Sequence, residues 1–460
     1  MPFGSIVLAQ KNPTPALPVT VCFYINASGP LGNGSGSSPE NAADASTPAK
    51  YYAINQSQTT PGTVIMYAPG TYLMNTGFWC WNGLTHQGSG IDSTIIKVAD
   101  NSSPYYPMFT SGDAGSLSNF NFSDATLDLN ANQQIWETGS GSTIAFSFSR
   151  TEHCTIQRVK FINFGAKNQE AFLIFFVNGS STAGNLNHNL VDSCIFTQPI
   201  RSGNTSGVTC IYMADAEPNI TVDNTNVVSN CQFLDLNYPS NSDLTYAQCV
   251  TAPQVINNYA RGVDALFFIE PGSQSLGNNV FFTGQTCLVS GNTLVNSGIV
   301  ARIRMHPNGT FAGNLNVTGN SVGMMNNPYA FFGPRGPQGF TIEQDQIGNP
   351  GLGNLTIQNN TFISPVSYNA SPTAVKAIFT AGSGQYFHMA SLSVTNNKYL
   401  NFPKNGNELQ VTTNPAYNPN YTQTGNVFSA NSAPVPTQSP TSATPYRVRR
   451  NYAVPQWPQY

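Results

Sequence analysis

The chain has 460 residues, of which only 8% are charged, and its formal net charge is -3. Average globular chains carry roughly 25% charged residues, so this surface must be built largely from amides and hydroxyls. Such a surface has no basic stripe for phosphates, which argues against nucleic acid as a partner and favours carbohydrate or another protein. The length fits two or three domains or one elongated repeat fold, and the composition favours the repeat fold.

Residues 1–20 are predicted to form an N-terminal arm. Its sequence MPFGSIVLAQKNP lacks a positive n-region, and its apolar run from Ile6 to Ala9 is shorter than the h-region of about 7 to 15 residues in a secretory signal. No stretch approaches the roughly 20 apolar residues that span a bilayer. We therefore expect neither a signal sequence nor a membrane span.

The eight cysteines form no CxxC pair, and no histidine is spaced to complete a zinc site. We therefore predict no metal and no cofactor. An even number of cysteines in a secreted chain would also be consistent with disulfides. Buried free thiols are favoured, because several cysteines recur at one position of the repeat described next and the chain is long enough to bury a core without disulfides.

A short pattern recurs along the chain: apolar, any, any, Asn or Cys, any, apolar. Its copies are VDSCIF from Val191, VSNCQF from Val228, VSGNTL from Val289, VTGNSV from Val317, IQNNTF from Ile357 and VTNNKY from Val394. Their spacing is irregular, which argues against helical repeats of fixed length. The β-branched and aromatic residues between Gly, Asn and Pro predict short strands.

A second strand precedes several of these copies. It reads GVTCIYMAD from Gly207, GVDALFFIE from Gly262 and GIVARIRMH from Gly298. Strands that stack unit upon unit in one direction form a parallel β-helix, in which one position recurs about every 4.8 Å. The repeat then predicts a ladder of stacked side chains at one turn, formed by Cys194, Cys231, Asn292, Asn320, Asn360 and Asn397. The alternative is that these asparagines are ordinary loop residues in an Asn-rich chain.

The segment from Val21 to Ala99 resembles the opening of the pectin lyase-like, right-handed parallel β-helix superfamily. The resemblance lies in FYINASGPLGNGSGSSPENA, PGTVIMYAPGTYLM and GLTHQGSGIDSTIIKVAD. Together with the repeats it covers residues 21–402 and implies an all-β fold, a single-stranded right-handed β-helix with extended terminal arms. It implies little about activity, because the superfamily includes lyases, hydrolases, epimerases and non-enzymatic viral spikes.

Residues 403–460 are predicted to form a C-terminal arm or tail, rich in Pro, Gln, Ser and Tyr. Composition alone indicates disorder. The alternative is an arm that lies along a neighbouring subunit. Its aromatic anchors would be Tyr446, Tyr452, Trp457 and Tyr460.

The second strand is apolar on both faces if its side chains alternate strictly. Alternation directs one apolar set outward, and such a set indicates an oligomer interface, most simply in a homotrimer. The predicted interface residues are Ile174, Phe176, Ile211, Met213 and Leu266. The alternative is that loops of the same subunit cover this face. The same outward set contains Phe268, Arg302 and Arg304, which we predict to contact a glycan.

The end of this strand carries a column of polar residues that includes Asp215, Glu270 and His306. If the units are consecutive, Asp215 and Glu270 would lie one strand spacing apart, near the roughly 5 to 5.5 Å of retaining glycosidases. One carboxyl could then act as acid, with His306 as a proton shuttle or sugar ligand. The alternative is that polar residues simply fall at strand ends. A lyase would need clustered acids for calcium, and the chain has no such cluster.

Two functions follow from these observations. The first is a structural or receptor-binding protein of a virus particle or extracellular assembly, located outside the cell or on the virion surface and facing glycans. The second is a secreted polysaccharide-degrading enzyme, either a glycoside hydrolase or a lyase. The low charge, the apolar outer strand and the arm-like termini favour the first, although the viral assignment rests on analogy.

Overall fold

A computed structural model describes residues 21–102, 107–111, 116–134, 141–167, 170–178, 186–200, 207–215, 225–236, 246–269, 280–281, 286–305, 310–324, 338–344, 351–364, 373–377, 388–402, 409–411 and 420–429. These ranges contain one α-helix, α1 (Pro48–Ser57), and two single-turn 3-10 helices, Pro39–Asn41 and Ala131–Gln133. No helix in the described ranges has the length and apolar character needed to cross a membrane.

The strands of the N-terminal half are, in chain order, β1 (Val21–Asn26), β2 (Ala43–Asp44), β3 (Thr63–Tyr67), β4 (Gly70–Met74), β5 (Phe78–Trp79), β6 (Thr85–Gln87), β7 (Thr94–Val98), β8 (Phe109–Thr110), β9 (Leu117–Ser118), β10 (Asn121–Asp128), β11 (Gly141–Ser142), β12 (Phe146–Ser149), β13 (Thr151–Glu152), β14 (Thr155–Ile162), β15 (Ala166–Lys167), β16 (Glu170–Asn178), β17 (Leu190–Asp192), β18 (Ile195–Phe196), β19 (Gly207–Asp215), β20 (Val227–Ser229) and β21 (Gln232–Leu234).

The remaining strands are β22 (Tyr246–Thr251), β23 (Gln254–Ile256), β24 (Tyr259–Arg261), β25 (Ala265–Ile269), β26 (Val280–Phe281), β27 (Thr286–Ser290), β28 (Thr293–Ser297), β29 (Ile299–Met305), β30 (Thr310–Thr318), β31 (Ser321–Met324), β32 (Gln338–Gln344), β33 (Gly351–Gln358), β34 (Thr361–Ile363), β35 (Thr373–Ala377), β36 (His388–Thr395), β37 (Lys398–Leu400), β38 (Leu409–Val411), β39 (Tyr421–Thr424) and β40 (Val427–Ser429).

These strands stack into three long parallel sheets that wind as a right-handed β-helix. The first sheet follows β1, β3, β6, β10, β14, β17, β20, β23, β27, β30, β33, β36 and β39, and the second follows β4, β7, β10, β14, β18, β21, β24, β28, β31, β34, β37 and β40. The third follows β5, β8, β12, β16, β19, β22, β25, β29, β32, β35 and β38. One turn through the three sheets is called a rung below. The predicted all-β parallel β-helix is confirmed.

The core consists of columns of like side chains, because parallel strands in register place the same position above itself. Phe161, Phe196 and Phe233 stack at centroid distances of 4.7 and 5.0 Å with nearly parallel rings. All three are fully buried. Such stacking explains why the repeat keeps its apolar positions although the connections between rungs vary in length.

An asparagine ladder lies at the turn between the first and second sheets. In each step the backbone N–H and the Nδ2 of one asparagine donate to the Oδ1 of the next, at 2.8–3.1 Å. The other Nδ2 hydrogen goes to a backbone carbonyl of the preceding rung. The ladder contains Asn258, Asn292, Asn320, Asn360, Asn397 and Asn426. Four of these were predicted from the repeat, whereas the first and the last were not.

Cys194 and Cys231 occupy the same column below the asparagines. Their Sγ atoms approach the carbonyls of Ile156 and Val191, and the N–H of Cys231 donates to the Oδ1 of Asn258 at 2.9 Å. All eight cysteines are free, and seven are buried. The exception is Cys22, which is exposed.

The residue before each ladder position adopts a left-handed backbone conformation. Asn257, Asn359 and Asn396 have φ of 56°, 57° and 55°, and Gly291 has 67°. Asparagine and glycine tolerate this region best. At Gly291 a Cβ would also lie 2.3 Å from the Oδ1 of Asn257. The Asn-Asn and Gly-Asn pairs of the repeat therefore satisfy one turn geometry.

The β-helix extends one rung beyond the predicted boundary at residue 402. Strands β39 and β40 pair in parallel with β36 and β37, in register with the rung below. The β-helix therefore reaches at least Ser429. The repeat pattern does not predict this rung, because Gln423 stands where the other copies have an apolar residue. Residues 1–20 lie outside the described residues.

The predicted outward directions of Ile174, Phe176, Ile211 and Met213 are wrong, since all four are fully buried in the core. Strict alternation fails because each strand turns two consecutive side chains inward. Leu173 is buried beside Ile174, and Cys210 beside Ile211. The same column continues through Cys249, Leu266 and Val300, all fully buried. Leu266 is therefore also a core residue, and these five residues cannot form a surface interface.

Candidate functional site

The outer face of the third sheet carries a row of residues at one register position. Phe175 pairs with Tyr212, and Tyr212 with Thr251. Thr251 donates its Oγ1 to the carbonyl of Phe268 at 2.7 Å, and Phe268 pairs with Arg302. The row thus crosses five consecutive strands, from β16 to β29. Two consecutive inward residues precede this row in the strands. The row therefore faces outward, although strict alternation would direct it inward.

One end of this row is an aromatic cluster formed by Phe172, Phe175 and Tyr212. The ring centroids of Phe172 and Phe175 are 5.0 Å apart, and those of Phe175 and Tyr212 are 5.3 Å apart, stacked at an interplanar angle of 24°. Phe172 also meets Tyr212 edge to face at 5.7 Å. All three side chains are half-buried. They therefore present ring surface to solvent from a rigid sheet.

The other end of the row is covered. Phe268 is 8% exposed and Arg302 is 1% exposed. The Arg302 guanidinium carbon lies 5.2 Å from the Phe268 ring centroid, which is a cation–π contact. The structure therefore brings together two of the predicted glycan contacts, but it buries both. For Arg304 only the backbone, in β29, belongs to the described part of the chain.

The predicted catalytic residues are only partly described. Asp215 is the last residue of β19 and pairs with Asn178, while Glu270 and His306 lie outside the described residues. Strand β22 lies between β19 and β25. The strand of Asp215 and the strand that precedes Glu270 are therefore two strand spacings apart, about 9.6 Å. The premise of consecutive rungs was wrong, because the YAQCVT sequence of β22 lacks the leading glycine of the other repeats.

The aromatic cluster was not predicted from the sequence. The signal was present in the gapless alignment of EAFLIFFVN with GVTCIYMAD, in which Phe175 and Tyr212 share one position. Strict period-2 reasoning assigned that position to the core. An aromatic residue kept at one position of adjacent rungs, beside a second apolar column, would have identified it.

Comparison of the sequence with protein-family models and with curated protein sequences gives no match. Among solved structures, a tailspike protein variant of E. coli bacteriophage HK620 in complex with a pentasaccharide is similar, with a TM-score of 0.52 and 14% identity. The match covers 88% of this chain and 66% of the tailspike chain.

Two further structures are similar at lower TM-scores. The surface adhesin PfbA of Streptococcus pneumoniae has a TM-score of 0.48 and 13% identity over 91% of this chain and 96% of the adhesin chain. The A-module of the mannuronan C-5 epimerase AlgE6 of Azotobacter vinelandii has a TM-score of 0.46 and 15% identity over 89% of this chain and all of that module. At these identities the similarity concerns fold alone. The chain thus has the right-handed parallel β-helix fold that its resemblance to the pectin lyase-like superfamily implied.

Proposed function

We propose that the protein is a glycan-binding β-helix that acts as a structural or receptor-binding component on the surface of a virus particle or another extracellular assembly. The aromatic cluster of Phe172, Phe175 and Tyr212 carries this proposal. The tailspike of similar fold was solved with a pentasaccharide, which is the class of ligand proposed.

The sheet holds the aromatic cluster in a fixed arrangement. Strands fixed about 4.8 Å apart hold the rings in one geometry, so a ligand that packs on them orders few protein groups. The C–H faces of sugar rings pack on aromatic faces, while amide and hydroxyl groups around them bond the sugar hydroxyls. A chain with 8% charged residues is rich in such neutral groups. These properties favour a saccharide over a phosphate-bearing ligand.

Binding of the intact chain to a panel of glycans tests this proposal. Phe175→Ala and Tyr212→Ala should each weaken binding about tenfold or more, because each removes one ring surface. Tyr259→Ala is the matched control, since Tyr259 is a half-buried tyrosine on the outer face of the second sheet. Equal binding by all three variants, or no binding by the intact chain, would exclude the cluster as a glycan site.

A polysaccharide-cleaving enzyme is the second candidate. Asp215 favours it, because it ends the strand that holds Tyr212, and a spacing of two strands, about 9.6 Å, approaches the roughly 6.5–9.5 Å of inverting glycosidases. Asp215 and Glu270 would then serve as acid and base, with His306 nearby. Release of reducing sugar by the intact chain, abolished by Asp215→Asn and by Glu270→Gln, would support hydrolysis. If the glycan stays intact after prolonged incubation, hydrolysis is excluded and glycan binding is the remaining function.

Self-association, most simply as a trimer, is also proposed, although not through the buried residues first assigned to it. The half-buried aromatic cluster is the surface that would form a subunit interface instead of a glycan site. Light scattering on the intact chain and on Tyr212→Ala separates the two roles. A mass that falls in the variant would indicate a subunit contact, whereas an unchanged mass with lost glycan binding would indicate a ligand site.

A further inference from the structure

The two ends of the β-helix differ in how their cores are covered. At the N-terminal end, Tyr51 of α1 is fully buried and contacts Tyr67 of β3, Tyr72 of β4 and Phe78 of β5, one strand from each of the three sheets. The helix therefore closes that end. Terminal units of repeat proteins need such a cover because no neighbouring unit buries their core.

The C-terminal end has no comparable cover among the described residues. Phe428 continues the core column of Phe362 and Tyr399 and stacks on Tyr399 at 4.6 Å, yet it is 36% exposed. Val427 is 58% exposed. No described strand pairs with the outer edges of β39 and β40. A free parallel edge above an exposed core residue is a template for one more strand.

The sequence of residues 446–454 fits this template. YRVRRNYAV aligns without a gap on the last two rungs, LSVTNNKYL (392–400) and YTQTGNVFS (421–429). It has apolar residues at the first, third and eighth positions, Tyr446, Val448 and Ala453. Asn451 stands at the sixth position, which is the ladder position of Asn397 and Asn426.

The two unusual residues of this segment have equivalents inside the solenoid. Arg450 stands at the left-handed turn position, where Arg158 adopts a φ of 52°. Ala453 stands at the core position that Ala260 fills. Tyr452 and Ala453 therefore repeat the Tyr259 and Ala260 pair of β24. Each departure of the segment from the pattern therefore also occurs in a described rung.

We infer that residues 446–454 form a terminal rung on β39 and β40 of the same chain, with Asn451 extending the asparagine ladder. Asn397 donates both its N–H and its Nδ2 to the Oδ1 of Asn426, at 2.9 and 3.1 Å. Asn426 in turn donates its Nδ2 to the carbonyl of Val394 at 2.9 Å. In the terminal rung, the Oδ1 of Asn451 would accept hydrogen bonds from the backbone N–H and the Nδ2 of Asn426. Each earlier asparagine of the ladder finds the same acceptor in the next rung. Tyr446 and Ala453 then cover the columns that end at Tyr421 and Phe428, and Val448 stands over Gln423 in the column of Val394.

The connection is long enough for this arrangement. Residues 430–445 supply sixteen residues between Ser429 and Tyr446, and the preceding rung uses the twenty residues 401–420 for the same path. Sixteen extended residues span roughly 50 Å. The connection contains Pro434, Pro436, Pro440 and Pro445, which suits an extended path that makes few ladder hydrogen bonds.

Hydrogen exchange of the full chain, followed by mass spectrometry, tests the inference. Peptides that cover 421–429 and 446–454 should both be protected, and Val448→Asp and Asn451→Ala should each speed exchange in both segments about tenfold or more. Matched controls come from the connection: Val435→Asp and Asn431→Ala should change neither segment. Exchange of 446–454 at unfolded-chain rates in the unsubstituted protein would overturn the inference.

The same experiment at different protein concentrations identifies the occupant. A rung formed by the chain's own residues gives protection that is independent of concentration over about a hundredfold dilution. Protection that disappears on dilution would mean that a second copy supplies the strand, and the same-chain inference would be wrong. The exchange rates do not depend on glycan, so they are independent of the proposed function.

Discussion

Asn360 accepts two hydrogen bonds from Asn320 on its Oδ1 atom, one from the backbone N–H and one from Nδ2, both at 2.9 Å. Asn320 in turn accepts the same pair from Asn292. All three side chains are buried. Each asparagine thus satisfies donors of the rung below, so the ladder couples the stability of neighbouring rungs.

Replacement of Asn320 by alanine should lower the free energy of unfolding by about 3 kcal/mol or more. The variant leaves the backbone N–H and Nδ2 of Asn292 without their acceptor in the core, and each unsatisfied buried group costs roughly 1–3 kcal/mol. Denaturant unfolding, or the unfolding rate where unfolding is irreversible, measures the loss. Asn359→Gly is the control, because Asn359 is exposed at a left-handed position that Gly291 and Gly319 also occupy. An effect of equal size in both variants would contradict the ladder account.

Mild acid should destabilise the fold through His86. This residue is fully buried among Phe109, Phe120 and Phe122, with its Nδ1 2.6 Å from the Tyr67 hydroxyl. Burial lowers the pKa of His86 from 6.5 to about 3. Between these values the unfolded chain binds a proton that the folded chain does not. The free energy of unfolding should therefore fall with decreasing pH by up to about 1.4 kcal/mol per pH unit in this window.

His86→Phe provides the comparison for this effect. The variant should show a shallower decline in stability between about pH 6.5 and 5, where most carboxylates remain ionised, because it lacks the buried imidazole. His188→Gln, at an exposed turn residue, should keep the decline of the unsubstituted protein. Identical pH profiles for all three proteins would exclude His86 as the source.

In the native chain, one of the eight cysteines should react with a thiol reagent and the other seven should not. Cys22 is exposed, whereas the other seven are free and buried. Burial raises the pKa of Cys154 to about 12 and that of Cys80 well above its ordinary value. Because the thiolate is the reactive form, the native chain should react once with a thiol reagent, and Cys22→Ser should abolish that reaction. Rapid modification of several cysteines in native Cys22→Ser would contradict the buried columns.

Arg302 should act on stability rather than directly on a glycan. Its side chain is 1% exposed and contacts the Phe268 ring. Arg302→Ala should therefore lower the free energy of unfolding by about 2 kcal/mol or more. Arg261→Ala should cost about 1 kcal/mol or less, since Arg261 and its partner Asp235 lie in solvent. Unchanged stability of Arg302→Ala with lost glycan binding would restore Arg302 as a direct ligand.

The sequence predicted the fold well because the same residue pattern recurs in successive rungs of a solenoid. Aligned copies of the turn revealed the asparagine column, and the first 79 residues of the β-helix, Val21 to Ala99, resembled a known opening. The rung of β22 was missed because its sequence lacks the shared glycine. Asn426 was missed because Gln423 replaces an apolar residue at the open end.

The site was predicted less well because a shift of one residue in the alternation reverses the direction of every side chain in the strand. Two consecutive inward residues, such as Leu173 and Ile174, reverse every direction that follows in the strand. The prediction therefore moved Ile211 outward and Tyr212 inward, the reverse of the structure. The outward directions of Phe268 and Arg302 were predicted correctly, because the strand pairing puts Phe267 in the column of Ile211, one residue away from the gapless alignment that pairs Ile211 with Leu266. Their burial depends on what packs over the sheet, which alternation cannot give.

The most direct test of the proposed function is a crystal structure of the full chain with a saccharide from the binding panel. The proposal predicts an intact sugar ring packed within about 4 Å of the Phe175 and Tyr212 rings. A saccharide bound on another face, or one cleaved beside Asp215 without contact to the aromatic cluster, would contradict it.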